Sequence, residues 1–296
     1  MNRYMICTMI LCAMLVFGCQ DKKSEKQNPN EKEQTAKTTT TIAAKVPEGT
    51  KTMKLSDGSE VTWIKDNPAQ KFNPRELFPD MNDELWASLN MPEGLPATIS
   101  TFLLKVGGEY ILFDAGLGDM GGQLSRHLAE LGISQNDIRL IYLTHFHADH
   151  IGGLITAGEN GAAAKAFPNA ALYASRIEYE SWMTRMANNE LQKQIMGLYQ
   201  DQLHLFEFDE TLPHDVKALD AVGHTPGHTA FRCQNLLVIG DLMHGYALQK
   251  DHPEINSIYD MDKAKSIESR KRLMDYAKEN KLIIAGMHLP EPGFVE

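Results

Sequence analysis

The sequence predicts a layered α/β fold, and three observations predict it. Short apolar runs recur along the chain, each ending in a histidine or an aspartate close to a glycine or a tight loop: residues 110–113 before Asp114, 140–143 before His145, 236–239 before Asp241, and 282–285 before His288. Runs of that length, bounded by turn residues, read as buried strands. Segments of helical period alternate with them, at 123–131, 176–203 and 264–278. Finally, 296 residues with 43% hydrophobic content can bury a large core. In layered α/β folds, functional groups collect at strand ends and in the loops that follow them.

The chain opens differently. Residues 1–18 carry Arg3 and then an apolar run from Met5 to Phe17 that includes Cys7 and Cys12. The run is too short and wrongly flanked for a stable membrane span and reads as a signal peptide. Val16-Phe17-Gly18-Cys19 resembles a bacterial lipobox, with Cys19 the lipidated first residue of the mature chain; an ordinary cleaved signal or an uncleaved anchor are the alternatives. Residues 19–45 are rich in Lys, Glu, Gln, Asn and Thr with few large apolar residues. Such a segment cannot bury enough surface to offset its ordering entropy, so a disordered tether is expected. The localisation implied is the bacterial cell envelope, lipid-anchored at the periplasmic face or outer membrane. With residues 1–18 removed, only Cys19 and Cys233 remain, so no intrachain disulfide is expected. Cys233 reads as a small inward-facing strand residue. The formal net charge of -10 argues against nucleic acid as a partner.

From residue 46 onward the elements follow in order. Residues 52–55 and 60–64 flank Asp57-Gly58 as an opening hairpin. Asn82-Asp83-Glu84 begins a short helix, and this region is placed as part of a substrate wall. Residues 100–106 and 110–113 pair across Gly107-Gly108. Residues 123–131 form an amphipathic helix, with His127 on its packed face. Residues 171–174 form a strand. The segment 176–203, with Trp182, Met183, Met186, Ile195 and Tyr199, reads as core-packing helix; its place between two chemical motifs also makes it a candidate lid. Residues 264–278 form a helix, and 282–285 is the last clear strand.

The most informative stretch is Thr144-His145-Phe146-His147-Ala148-Asp149-His150-Ile151-Gly152-Gly153. Three imidazoles and a carboxylate within six positions, just after a strand, suit Zn and similar divalent metals. The same groups buried without a metal would be costly to desolvate. The remaining ligands should come from later strand ends. Candidates are Gly223-His224-Thr225-Pro226-Gly227-His228, Gly240-Asp241 and Met287-His288. No Gly-x-Ser-x-Gly nucleophile elbow and no phosphate loop in strand context is present.

The order and content of these segments, from about residue 98 to residue 289, resemble the metallo-β-lactamase-fold hydrolases. The resemblance implies an αββα four-layer sandwich spanning 46–296 and two divalent ions, Zn first, with Mn, Fe or Co as alternatives. His145, His147 and His228 would hold one ion; Asp149, His150 and His288 would hold the other; Asp241 would bridge them. Asp114 would sit beneath, orienting a ligand histidine, and His224 would serve loop packing or support. Gly240 to His244, His252 to Ile255 and Gly286 to Pro290 look like the branch that contains methyl parathion hydrolase. Two departures stand out: Glu291 replaces an aromatic that often follows His-Leu-Pro, and His244 stands where homoserine-lactone lactonases carry a tyrosine.

The activity implied is hydrolysis of a lactone, ester, amide or phosphotriester bond by a metal-bridging hydroxide. Asp149 would relay a proton and His244 would contact substrate, with Phe146, Met120, Met243, Met287 and Leu289 as apolar wall candidates. The alternatives are a β-lactam hydrolase on the same fold and a non-catalytic metal-binding lipoprotein. The partners implied are a small-molecule substrate, a membrane reached only through the lipid anchor and, as an open alternative, a second copy of the chain in a homodimer.

Overall fold

The computed structural model describes residues 46–295. The signal peptide, lipidated Cys19 and tether expected from the sequence fall outside the described residues. Two β-sheets form the centre. The first has seven strands, in the order Thr50–Lys54, Glu60–Lys65, Ser100–Val106, Glu109–Phe113, Ile138–Tyr142, Ala171–Ser175, Leu203–Phe206. Its first four strands pair antiparallel and the remaining pairings are parallel. The second has six, in the order Thr211–Leu212, Val216–Asp220, Thr229–Cys233, Leu236–Val238, Ile283–Ala285, Phe294–Val295. The helices are α1 (Asp83–Leu89), α2 (Leu124–Glu130), α3 (Ala148–Ile151), α4 (Arg176–Thr184), α5 (Glu190–Leu198), α6 (Tyr246–Gln249) and α7 (Lys263–Glu279).

The strand pattern explains the layering. Side chains alternate across a strand, and here both faces are apolar. Phe102, Leu104, Ile111 and Phe113 meet Phe231, Leu236 and Val238 between the two sheets. Phe113, Tyr142 and Phe231 cluster there with ring centroids 5.4–5.7 Å apart. Their neighbours Leu103, Leu112, Ile141 and Leu172 point the other way, onto Leu124 and Leu128 of α2 and Trp182, Ile195 and Met196 of α4 and α5. On the far side Leu237, Ile239 and Ile284 pack on Leu273 and Ala277 of α7. Helix, sheet, sheet and helix thus stack in four layers, and strands covered on both faces read as unbroken apolar runs.

The expected elements appear close to their expected bounds. Asn82 caps α1, its side-chain oxygen accepting from the Leu85 N–H, and Cys233 is buried between the sheets. One reading changes. The terminal strand Phe294–Val295 was not foreseen, because two residues carry no period. The segment 176–203 packs as the core helix expected: Trp182, Ile195, Met196 and Tyr199 join the core, and Tyr199 Oη donates to the Leu154 carbonyl.

Candidate metal centre

The strand Ile138–Tyr142 ends beneath a loop that carries His145 and His147 into α3, where Asp149 and His150 follow. The loop between Val216–Asp220 and Thr229–Cys233 brings His224; the turn after Leu236–Val238 brings Asp241; the turn after Ile283–Ala285 brings His288. All these turns open at the same edge of the sandwich, and their side chains converge.

One group of donors is His145, His147, His224 and Asp241, with ligand atoms all within 4.8 Å of one another. His147 Nδ1 lies 3.0 Å from His145 Nε2 and 2.9 Å from His224 Nε2. A second group is Asp149, His150 and His288, with His288 Nε2 3.4 Å from Asp149 Oδ2. The Asp241 carboxylate stands between the two. Its Oδ1 is 3.0 Å from His150 Nε2, and its Oδ2 is 3.2 Å from His224 Nε2 and 3.1 Å from His288 Nε2.

His228 departs from its expected place. Its Nδ1 donates to the Ala221 carbonyl at 2.9 Å, and its Nε2 accepts the Asp241 backbone N–H at 3.0 Å. Both ring nitrogens are spent, so His228 has no donor to offer an ion. His224, assigned to support from the sequence, supplies the converging nitrogen instead. The loop geometry explains the exchange. His228 adjoins the strand and tucks under Gly240, where a Cβ would come within 2.4 Å of its Nε2. Gly223 and Gly227 let the loop approach the starts of α7 and α4, where a Cβ would meet Ser266 N and Glu178 N at 2.2 Å each.

Most of the other ring nitrogens of the converging histidines are held from behind. Asp114, at φ 62° in the left-handed region that Asp tolerates, accepts from His150 Nδ1 at 2.7 Å and from the Thr144 N–H and hydroxyl. Asp260, which the sequence did not single out, lies 3.2 Å from His224 Nδ1; it is paired in turn with the fully buried Arg270 of α7, again at 3.2 Å. His288 Nδ1 donates to the Thr98 carbonyl. Carboxylates and carbonyls behind imidazoles fix ring orientation and raise ligand basicity.

The electrostatics match a cation site. Burial alone would raise the Asp241 carboxyl, but His150, His288, His145 and His224 around it hold it well below the usual carboxylate range. Burial opposes charge on His288, yet Asp241 and Asp149 pull it up to about 10. Burial takes His147 down to about 3, and neighbouring His224 pushes the same way. The site therefore favours positive charge at its centre while keeping His147 a neutral donor. Three buried polar atoms here make no hydrogen bond: His150 Nε2 and Asp241 Oδ1, which lie 3.0 Å apart without forming one, and His244 Nδ1. Buried polar atoms are normally paired, and neutral imidazole nitrogens with carboxylates are the donor set of divalent transition metals. The residues fit the ions that the sequence implies.

A family model described as the metallo-beta-lactamase superfamily matches residues 94–288. The chain belongs to that superfamily. Among the proteins it resembles is a probable metallo-hydrolase of Methanocaldococcus jannaschii, 26% identical over 170 residues, which cover 57% of this chain and 67% of the relative. Similar solved structures include the hydrolase AbOPH, with 26% identity and a TM-score of 0.73, and AidC, a dizinc quorum-quenching lactonase, with 28% identity and a TM-score of 0.72. Each match covers 83% of this chain and 92% of the other. This superfamily member is a metallo-hydrolase of αββα architecture, as the sequence predicted.

A cavity of about 330 Å³ opens over the converged side chains, walled also by Lys71, Asn73, Ala148 and Tyr259. The five apolar wall candidates do not line it. Phe146, Met243, Met287 and Leu289 are core residues, and Met120 is exposed elsewhere. The alternation of strand-end side chains turned them into the packed layers. His244 does line it, with Nε2 3.2 Å from Asp241 Oδ2 and its ring stacked on His288. Asn73, from the region before residue 94, joins the wall and donates to the His244 carbonyl at 2.6 Å.

Proposed function

We propose that the protein is a dinuclear metallohydrolase acting on a small neutral or singly charged lactone, ester or phosphotriester. His145, His147 and His224 would hold one ion, Asp149, His150 and His288 the other, and Asp241 would serve both. The observation that carries the reading is the Asp241 carboxylate, buried between two donor groups with an oxygen toward each. When bound there, two divalent ions, zinc by donor chemistry and by likeness to a dizinc relative, would supply Lewis acidity and an activated water for a carbonyl or phosphoryl centre.

The residues do the rest. Asp114 and Asp260 hold His150 and His224 in place, so the donors need little reorganisation when substrate arrives. Asp149 is the most exposed of the cluster's carboxylates and carries a proton toward the leaving group at Oδ2. His244, which lines the cavity, contacts substrate. Two carboxylates already offset much of the ionic charge, which leaves room for neutral substrates. The cavity is near the lower end of small-molecule sites, about 300–1,000 Å³, and favours a compact reacting group.

The test is a panel of lactone, ester, phosphotriester and β-lactam probes on the full chain, with metal content measured on the same preparation. Turnover lost on chelation and restored by zinc, with two ions per chain, supports the reading; full turnover in metal-free protein defeats it. His244→Ala should keep both ions and lose rate. We also propose that Cys19 is lipidated and anchors the enzyme at the cell envelope; fatty-acid labelling that survives in Cys19→Ala refutes this.

A further inference from the structure

Glu178 sits in the first turn of α4, fully buried. Among the described residues no cationic side chain pairs with it. Its Oε1 accepts the Phe146 N–H at 2.9 Å and the Trp182 indole N–H at 2.7 Å; its Oε2 accepts the Thr225 hydroxyl and the Gly227 N–H, both at 2.8 Å. Phe146 lies between His145 and His147, and Thr225 follows His224. One side chain therefore joins the two loops that present all three histidines of one donor group. Gln192 of α5 completes the grip by donating to the Phe146 carbonyl at 2.8 Å. The peptide between the two histidines is thus held at both its N–H and its C=O. The other donor group rests on Asp114 and the Thr98 carbonyl; Asp114 reaches the first group only at one remove, through the Thr144 hydroxyl 3.0 Å from His145 Nδ1, and neither support touches His147 or His224.

Burying a carboxylate among four neutral donors is costly on its own, and burial does push Glu178 upward despite them. Far cheaper packing was open to a helix face. Resting on the dinuclear reading above, we infer that Glu178 is a positioning residue that sets the geometry of the His145–His147–His224 site selectively, by clamping its two loops together, with Gln192 as its partner. A glutamine replaces it poorly. With its N–H2 toward Phe146 and Trp182 it faces two N–H donors; turned the other way it can donate to the Thr225 hydroxyl but still leaves the Gly227 N–H unpaired.

The experiment is stepwise cobalt and zinc titration of the full chain, with metal absorption spectra and competing chelators, on wild type, Glu178→Gln and Gln192→Leu. His224→Ala and His288→Ala, each missing one ligand, identify which step and which band belongs to which site. Glu178→Gln should raise the dissociation constant of the His145–His147–His224 ion by about 10–100-fold, the range of supports one bond removed from a metal. The other ion should hold its affinity. Gln192→Leu should show the same selective loss, smaller, and decides the matter if Glu178→Gln does not fold. Equal weakening of both ions, or unchanged affinity in a folded variant, overturns the inference. A wild-type chain that binds fewer than two ions instead defeats the dinuclear reading itself, whatever the variants do.

Discussion

The two donor groups around Asp241 are built from similar chemistry but supported from different parts of the molecule. His150 and His288 are backed by Asp114 and the Thr98 carbonyl, from the loops flanking the first sheet's central strands. His145, His147 and His224 are backed by Glu178 and Gln192 on α4 and α5 and by Asp260 against Arg270 of α7. One half leans on the sheet, the other on helices from both outer layers. Ligand identity is therefore a local property of the chain, whereas ligand aim in the second half depends on packing across the whole sandwich. Binding of the helix-backed ion should be the more sensitive to distant substitutions.

The largest effect should come from the residue both halves share. Asp241→Ala removes a buried carboxylate from both groups, and atomic absorption should find at most one ion per chain with turnover at background. Two tightly held ions in that variant would mean the halves are independent. Next is the pair within one loop. His224→Gln should lose the helix-backed ion, while His228→Gln keeps both ions, because its amide can still donate to the Ala221 carbonyl and accept the Asp241 N–H. The reverse outcome would restore His228 as the ligand.

A finer comparison sets the two supporting carboxylates against each other. Asp114→Asn and Asp260→Asn should each weaken metal binding by about 10–100-fold. Titration should put the larger loss on different ions: the sheet-backed one for Asp114, which touches His150 directly and His145 only through the Thr144 hydroxyl, and the helix-backed one for Asp260. Loss of the same ion in both variants would erase the distinction.

What the sequence disclosed follows the same division. Ligands clustered after a strand, such as His145 to His150, are legible because spacing and strand end fall within ten residues. Single ligands at later strand ends, Asp241 and His288, are legible because an apolar run points at them. His224 was misread for His228 since both stand in Gly-His contexts; only the ring's contacts with Ala221 and Asp241 tell them apart. The sole sequence signal was Gly240, whose missing Cβ makes room for the His228 ring. Glu178, Asp260 and Arg270 carry no local signal. A charged residue on a helix or loop reads as solvated until tertiary packing buries it.

The smallest effect concerns His228 as a structural residue. Burial takes its imidazole down to about 3, and the charge on His224 acts in the same direction. The folded state thus keeps the ring neutral, as its hydrogen bonds require: Nδ1–H to Ala221 and a lone pair for the Asp241 N–H. The unfolded chain takes up a proton at the ordinary 6.5. Below that value the unfolded state binds more protons, so stability present above 6.5 is lost as the pH falls toward 3. A single such group steepens the loss by at most about 1.4 kcal/mol per pH unit. In chelated protein, the wild-type urea midpoint should therefore fall faster on acidification than that of His228→Gln, which has no proton to exclude. Parallel curves would mean that the ring already accepts a proton in the folded state, and that its bond from the Asp241 N–H does not govern the turn carrying the shared carboxylate.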